Sequence, residues 1–269
     1  MTTAAPERAR WPRLAAAPHP LLRPLLPRGY AGFTVATTPR ALALPATVSV
    51  PLVVKLADSA HRPPAFVMGP HASSWLVPGD CAPSYLEVWL DPLAACRLLG
   101  LPIGELGGQI ASLADLLGAA ARRLAEQLRE APDWPQRFVL MDEFLLRRMD
   151  CGPRPSPQVA WAWRRLVGTR GRVPVGQLAG EVGWSHKHLI ARFSREAGLR
   201  PKTAARLIRF DRVWRHLDRE AGRPDWAQLA AEAGYADQAH LIRDFRQFTG
   251  TTPGGYQARA RPAGTAAGR

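Results

Sequence analysis

The sequence predicts an α+β fold. A β-rich N-terminal domain that also carries helices is followed by an all-α domain with two helix-turn-helix subdomains. Three observations lead there. Short β-branched and aromatic runs, broken by prolines, fill residues 46–90. Apolar residues at helical spacing take over after Asp91-Pro92. The C-terminal part then repeats a helix, glycine, aromatic, helix pattern at an offset of 51 to 52 residues.

Taken in order, residues 1–20 are rich in Pro and Arg and are expected to be disordered. Ala46–Leu56, Ala65–Met68, Ser73–Val77 and Tyr85–Leu90 read as strands. Helices are expected over about 92–99, 112–130 and 134–149. On the long one, Leu113, Leu116, Leu117, Leu124 and Leu128 make one apolar stripe. That stripe serves either as packing on the sheet or as a seam between two copies of the chain. Phe66, His71, Trp75, Tyr85 and Trp89 are candidates to line an effector pocket in the sheet, against the plainer reading that they are core. Residues 21–150 are read as this N-terminal β-rich and helical domain. Residues 151–157 are read as a linker, because Pro153, Pro155 and Pro157 do not fit a helix interior.

Residues 158–258 are read as the second domain and 259–269 as a disordered tail. The first copy of the repeat runs from Leu178-Ala-Gly-Glu-Val-Gly-Trp184 through Leu189, Phe193, Gly198 and Pro201. The second runs from Leu229-Ala-Ala-Glu-Ala-Gly-Tyr235 through Leu241, Phe245, Gly250 and Pro253. In each, a short helix ends at a glycine suited to a left-handed turn. An aromatic plugs the space between helices, and Ser185 or Asp237 caps a second helix. Leu189 with Phe193, and Leu241 with Phe245, stand four residues apart and give each second helix one inward stripe. Two such units in register are a specific signal. The segment between them, with apolar residues at 207, 210, 214 and 217, is a long connecting helix.

The charge follows the same division. The chain has 36 Lys+Arg against 22 Asp+Glu, a formal net charge of +14. Residues 1–150 hold 15 and 13 of these, and residues 151–269 hold 21 and 9. Basic charge gathered in the repeat-bearing half points to a polyanionic partner rather than to a neutral metabolic enzyme. Cys81, Cys96 and Cys151 have no C-x-x-C spacing, so neither a disulfide framework nor a cysteine zinc site is expected. No run of 18 apolar residues is present, and residues 1–14 lack the apolar core of a signal peptide. A cytoplasmic location and no membrane partner are therefore expected. Phosphate-loop, nucleophile-elbow and zinc-protease motifs are absent, and no catalytic residue, cofactor or metal is expected. A His71 and Cys81 nucleophile pair has no supporting motif.

Leu229, Ala230, Gly234-Tyr235, Phe245, Gly250-Thr-Thr-Pro253 and Tyr256 resemble the AraC/XylS family of bacterial transcription regulators. The resemblance covers about residues 157–257. It implies a seven-helix unit with two helix-turn-helix subdomains and a nucleoid-associated regulator, most often an activator. It also implies double-stranded DNA as partner, with two half-sites per monomer. Leu86–Ala95 and Leu98–Leu106 are more distantly similar to the sensor or dimerisation region of a subgroup of these regulators. A small-molecule effector, a homodimer and RNA polymerase are the further partners implied.

On the first recognition helix Lys187, Ile190, Ala191 and Ser194 are expected to face bases. Ile190 and Ala191 are apolar and suit thymine methyls. On the second, Gln238, Ala239, Ile242 and Arg243 are the base-facing set, Arg243 matching a family position that contacts bases. Ser185, His186, Arg192, Arg195, Lys202, Arg206, Arg209 and Arg246 are the expected phosphate contacts. The plain alternative for any one of these cations is a solvated face. The competing function is a non-specific architectural DNA-binding protein, which would bind through phosphates alone.

Overall fold

The computed structural model describes residues 13–34, 41–57, 62–78, 84–149, 151–219 and 224–260. The strands are β1 (Arg13–Ala16), β2 (Tyr30–Thr34), β3 (Ala41–Leu44), β4 (Val50–Lys55), β5 (Ala65–Met68), β6 (Trp75–Pro78), β7 (Ser84–Leu90) and β8 (Ile110–Ser112). The first helices are α1 (Pro92–Leu99), α2 (Leu113–Leu117), α3 (Ala119–Glu130) and α4 (Trp134–Arg148). Seven more follow: α5 (Pro157–Gly168), α6 (Val175–Glu181), α7 (His186–Ala197), α8 (Pro201–Arg219), α9 (Trp226–Ala233), α10 (Gln238–Thr249) and α11 (Pro253–Ala260). The architecture is thus α+β, with the sheet in the first half and only helices in the second.

Six strands form one antiparallel sheet in the order β1-β2-β7-β4-β5-β8, and β3 pairs with β6 in a separate ribbon. Alternation along the strands serves two cores. Val50, Leu52, Val54, Val67, Leu86, Val88 and Leu90 pack against α1, α3 and α4. Phe33, Val53, Phe66, Met68 and Tyr85 face the other way and meet Leu44, Trp75 and Ile110. Burial of both faces explains why β5, and β4 up to Val54, are apolar rather than alternating.

Several expectations are corrected. Residues 13–20 do not fray: β1 pairs with β2, Pro18 is buried, and the His19 amide donates to Asp142 Oδ1 at 3.0 Å. Residues 1–12 and 261–269 lie outside the described residues, and 259–260 belong to α11 rather than to a tail. The strand expected from Ala46 begins at Val50, because Thr47 instead forms an isolated bridge with His71. The helix expected over 112–130 breaks in two at Gly118, whose φ of 59° and ψ of −134° lie where only glycine is at ease. Its leucine stripe is spent inside the chain. Leu113, Leu124 and Leu128 are buried in the sheet core, and Leu116 and Leu117 pack against it. Packing on the sheet thus accounts for the three buried leucines, while Leu116 and Leu117 stay half-exposed.

The helical half has two cores joined by α8. Val159, Trp163, Leu166, Leu178, Leu189 and Phe193 make the first, together with Ala204 and Ala205 from the start of α8. Phe210, Val213, Trp214 and Leu217 from the rest of α8 join Leu229, Leu241, Phe245, Phe248 and Tyr256 in the second. The halves also touch. The Trp163 indole donates to Asp91 Oδ2 at 2.5 Å, and Arg28 pairs with Asp211. The backbone amide of Ala46 donates to the Phe248 carbonyl at 2.7 Å. At the 3-10 turn Ile103–Leu106, a Cβ on Gly104 would stand 2.7 Å from the Arg195 carbonyl, so only glycine permits this approach to α7. Segment 151–157 is a pinned strap rather than a loose linker. Ser156 donates through its amide to Glu196 Oε2 at 2.8 Å and through its hydroxyl to the same carboxylate.

Candidate nucleic-acid interface

Each helix-turn-helix unit is built by the same local physics. α6 and α9 end before Gly183 (φ 70°) and Gly234 (φ 88°), in the left-handed conformation that lets the chain reverse. The Ser185 hydroxyl caps α7 by accepting from the His188 amide at 3.2 Å, and Asp237 caps α10 by accepting from the His240 amide at 2.6 Å. Leu189, Phe193, Leu241 and Phe245 are all fully buried, so the opposite faces of α7 and α10 are fixed outward.

On α10, Gln238, Ala239, Arg243 and Arg246 are exposed and Ile242 is half-buried beside them. Arg243 makes one long contact, from Nε to the Ala239 carbonyl of its own helix at 3.4 Å, and its guanidinium points away from the core. On α7, His186, Lys187 and Ala191 are exposed and Ile190 is half-buried. Ser194 departs from expectation. A Cβ on Gly104 would stand 2.8 Å from its carbonyl, and its hydroxyl oxygen is buried without a hydrogen-bond partner. It faces the N-terminal half and not a groove.

The expected phosphate contacts divide in the same way. Lys202, Arg195 and Arg246 are exposed, and Arg195 lends only its backbone to the contact with Gly104. Ser185 is committed as the α7 cap, which leaves the amides of the first turn for an anion. Arg192 pairs with Glu196 at 2.9 Å, the same carboxylate that receives Ser156. Arg206 and Arg209 are corrected outright. Arg206 pairs with buried Asp244 at 2.6 Å, donates to Gln247, and lies 5.1 Å from the Phe248 ring. Arg209 donates to the Gly171 carbonyl and covers the Tyr235 ring at 5.5 Å. Both tie α8 to its neighbours. Burial, reinforced by Asp244, pushes the Tyr235 hydroxyl well above its ordinary range, so it stays neutral.

Two features escaped sequence reasoning. His188 and His240 occupy the same place in the two copies and meet the plug aromatics edge-on, at 4.5 Å from Trp184 and 5.2 Å from Tyr235. The signal was a histidine four or five residues after each aromatic. Asp244 lies on the inward stripe with Leu241, Phe245 and Phe248. An acid on an apolar stripe announces a buried partner.

The five effector-pocket candidates do not enclose one space. Phe66, Tyr85 and Trp75 belong to one packed cluster, with Phe33 and Tyr85 rings 5.3 Å apart. His71 stacks on Trp75 at 3.9 Å, and burial lowers its pKa to about 4. Trp89 stands apart, 4.3 Å beneath the Arg28 guanidinium. Cys81 lies outside the described residues. Among the described residues no cluster of His, Cys, Asp or Glu is arranged to hold a metal, and no helix is long and apolar enough to cross a membrane.

A helix-turn-helix domain family matches residues 178–259. No curated protein matches the chain. Three solved structures are similar to parts of it. The DNA-binding domain of AdpA, a global transcriptional factor, in complex with a target DNA, is 25% identical over 40% of this chain and 100% of its own, with a TM-score of 0.35. The C-terminal domain of AraT, a response regulator from Geobacillus stearothermophilus, is 19% identical over 43% and 95%, with a TM-score of 0.36. ToxT from Vibrio cholerae O395 is 9% identical over 86% and 96%, with a TM-score of 0.47. The matched residues coincide with α6 to α11, the repeat and its caps. Residues 178–259 of this chain form a helix-turn-helix domain.

Proposed function

We propose that the chain is a sequence-specific, DNA-binding transcription regulator that presents α7 and α10 to successive major grooves of one duplex. The observation that carries this reading is the pair of capped helices with buried inner stripes and exposed outer faces, in a half that holds most of the net charge. Base reading rests on Lys187, Ile190 and Ala191 in α7 and on Gln238, Ala239, Ile242 and Arg243 in α10. Lys202, Arg195, Arg246, His186 and the amides behind Ser185 are the phosphate contacts. Residues 21–150 form a regulatory domain, for effector sensing, self-association or polymerase contact, and residues 158–258 the DNA-binding domain.

The test is enrichment and sequencing of fragmented genomic DNA bound by the full chain near physiological salt. The expected result is a bipartite motif with half-sites about one helical turn, roughly 34 Å, apart. A specific regulator holds its site at least about 10³-fold over random DNA. Retention of all fragments alike, with only a steep salt dependence, would return the architectural alternative.

A further inference from the structure

Between the two halves lies an open cleft of about 1050 Å³. Leu25, Leu93 and Ala94 line it from the N-terminal half, and Trp163, Val167 and Ile208 from α5 and α8. Its polar lining is lopsided. Arg28, Arg97, Arg164, Arg170, Arg212 and Arg215 reach it, against two acids, Asp91 and Asp211. Both acids are already committed. Asp91 caps α1 through the amides of Leu93 and Ala94 and receives the Trp163 indole. Asp211 receives Arg28 and Arg215 together. Burial pushes the Asp211 carboxyl up, but those two guanidiniums outweigh it and hold the group below the usual carboxylate range. Asp211 is therefore ionised and its charge fully used.

Arg164, Arg170 and Arg212 are left over. Arg164 and Arg170 are exposed at the cleft, and the structure gives them no acidic partner among the described residues. The Nε of Arg212 is buried with no hydrogen-bond partner. Partial burial and the neighbouring cations Arg170, Arg172 and Arg215 lower the pKa of Arg212, and Glu232 does not offset them. Guanidiniums gathered beside one another repel, and an uncompensated buried donor costs free energy. That cost is relieved by an anion. Three guanidinium forks, each able to give two parallel N–H bonds, match a dianionic phosphate better than a singly charged carboxylate. The apolar lining accommodates the rest of a ligand.

We propose that this cleft binds a phosphorylated small molecule, its phosphate held by Arg164, Arg170 and Arg212 and its body against Leu25, Leu93 and Ile208. The groove-facing residues lie on α7 and α10, whereas the cleft lies on α5 and the Ile208–Arg215 face of α8, walled by the N-terminal half. Such a ligand touches both halves at once, and its binding is independent of whether the chain reads DNA.

The experiment is calorimetric titration of the full chain at fixed ionic strength with n-hexyl phosphate, inorganic pyrophosphate and hexanoate. Saturable 1:1 binding of hexyl phosphate is expected, with hexanoate weaker. Arg212→Ala and, separately, exposed Arg164→Ala should each weaken hexyl phosphate by about tenfold or more, while Arg123→Ala on α3 leaves it unchanged. Arg164 is at the surface, so its loss does not threaten the fold. Absence of saturable binding by both hexyl phosphate and pyrophosphate overturns the site. Equal binding of hexanoate overturns the phosphate assignment. A loss of affinity for random-sequence duplex in Arg164→Glu, with no phosphate binding in the parent chain, assigns the cluster to DNA and also overturns it.

Discussion

In the first helix-turn-helix copy, half-exposed Arg192 pairs with buried Glu196; 52 residues later its counterpart is Asp244, buried under Arg206. The same offset sets Ala191 against Arg243, and Ser194, packed toward Gly104, against exposed Arg246. What the copies keep is the turn glycine, the plug aromatic with its edge-on histidine, the cap and the Leu-Phe stripe. The difference teaches that the frame is set by packing while the outer face is free to specialise. One copy is docked on the N-terminal half at its far end. The other keeps both of its arginines, Arg243 and Arg246, exposed.

The largest expected effect separates the two cores. Phe193→Ala and Phe245→Ala each remove a fully buried ring and should cost about 3–5 kcal/mol in denaturant unfolding. Hydrogen exchange should quicken in α6 and α7 for the first and in α9 to α11 for the second. Equal quickening in both would mean that α8 welds them into one unit and would break the comparison.

Next come the two ion pairs. Asp244→Ala strands Arg206 in a partly buried site and should cost about 3 kcal/mol. Arg192→Ala removes a half-exposed partner four residues from Glu196, and should cost under about 1 kcal/mol. Similar losses in both would show that the pairs are equivalent after all.

Binding sharpens the contrast further. Arg243→Ala should cost about 1–3 kcal/mol on the selected site and relax preference at one position. Lys187→Ala should cost less, because α7 presents its neighbours Ile190 and Ala191 without hydrogen bonds to give. Equal weakening of Arg243→Ala on every sequence would reassign Arg243 to phosphate. The smallest effect tests the common frame: Ser185→Ala and Asp237→Ala should each lose about 1 kcal/mol of stability. A cap whose loss costs nothing would show that its copy is held by packing alone.

The helical half was legible because its signals are local. Gly183, Ser185, Leu189 and Phe193 lie within one turn and one helix, and each dictates its neighbour's conformation. The sheet half was less so. β1, β2 and β3 pair with partners 14 to 58 positions away, and such pairing leaves little trace in a four- or five-residue run. The side-chain assignments failed where the partner came from elsewhere. Arg206 and Arg209 read as phosphate anchors until Asp244 and the Gly171 carbonyl were seen beside them. Ser194 read as groove-facing because helical periodicity cannot see Gly104, ninety residues earlier.

That glycine has a further consequence. The last turn of α7 rests on bare backbone at position 104, so even one methyl group there must push the two halves apart. Position 104 is thus a dial for mechanical coupling, remote in sequence from the exposed outer faces of α7 and α10. A descendant chain with alanine at 104 inherits unaltered outer faces of α7 and α10 on a slackened mount, so the contact between the halves is open to change while those faces stay as they are.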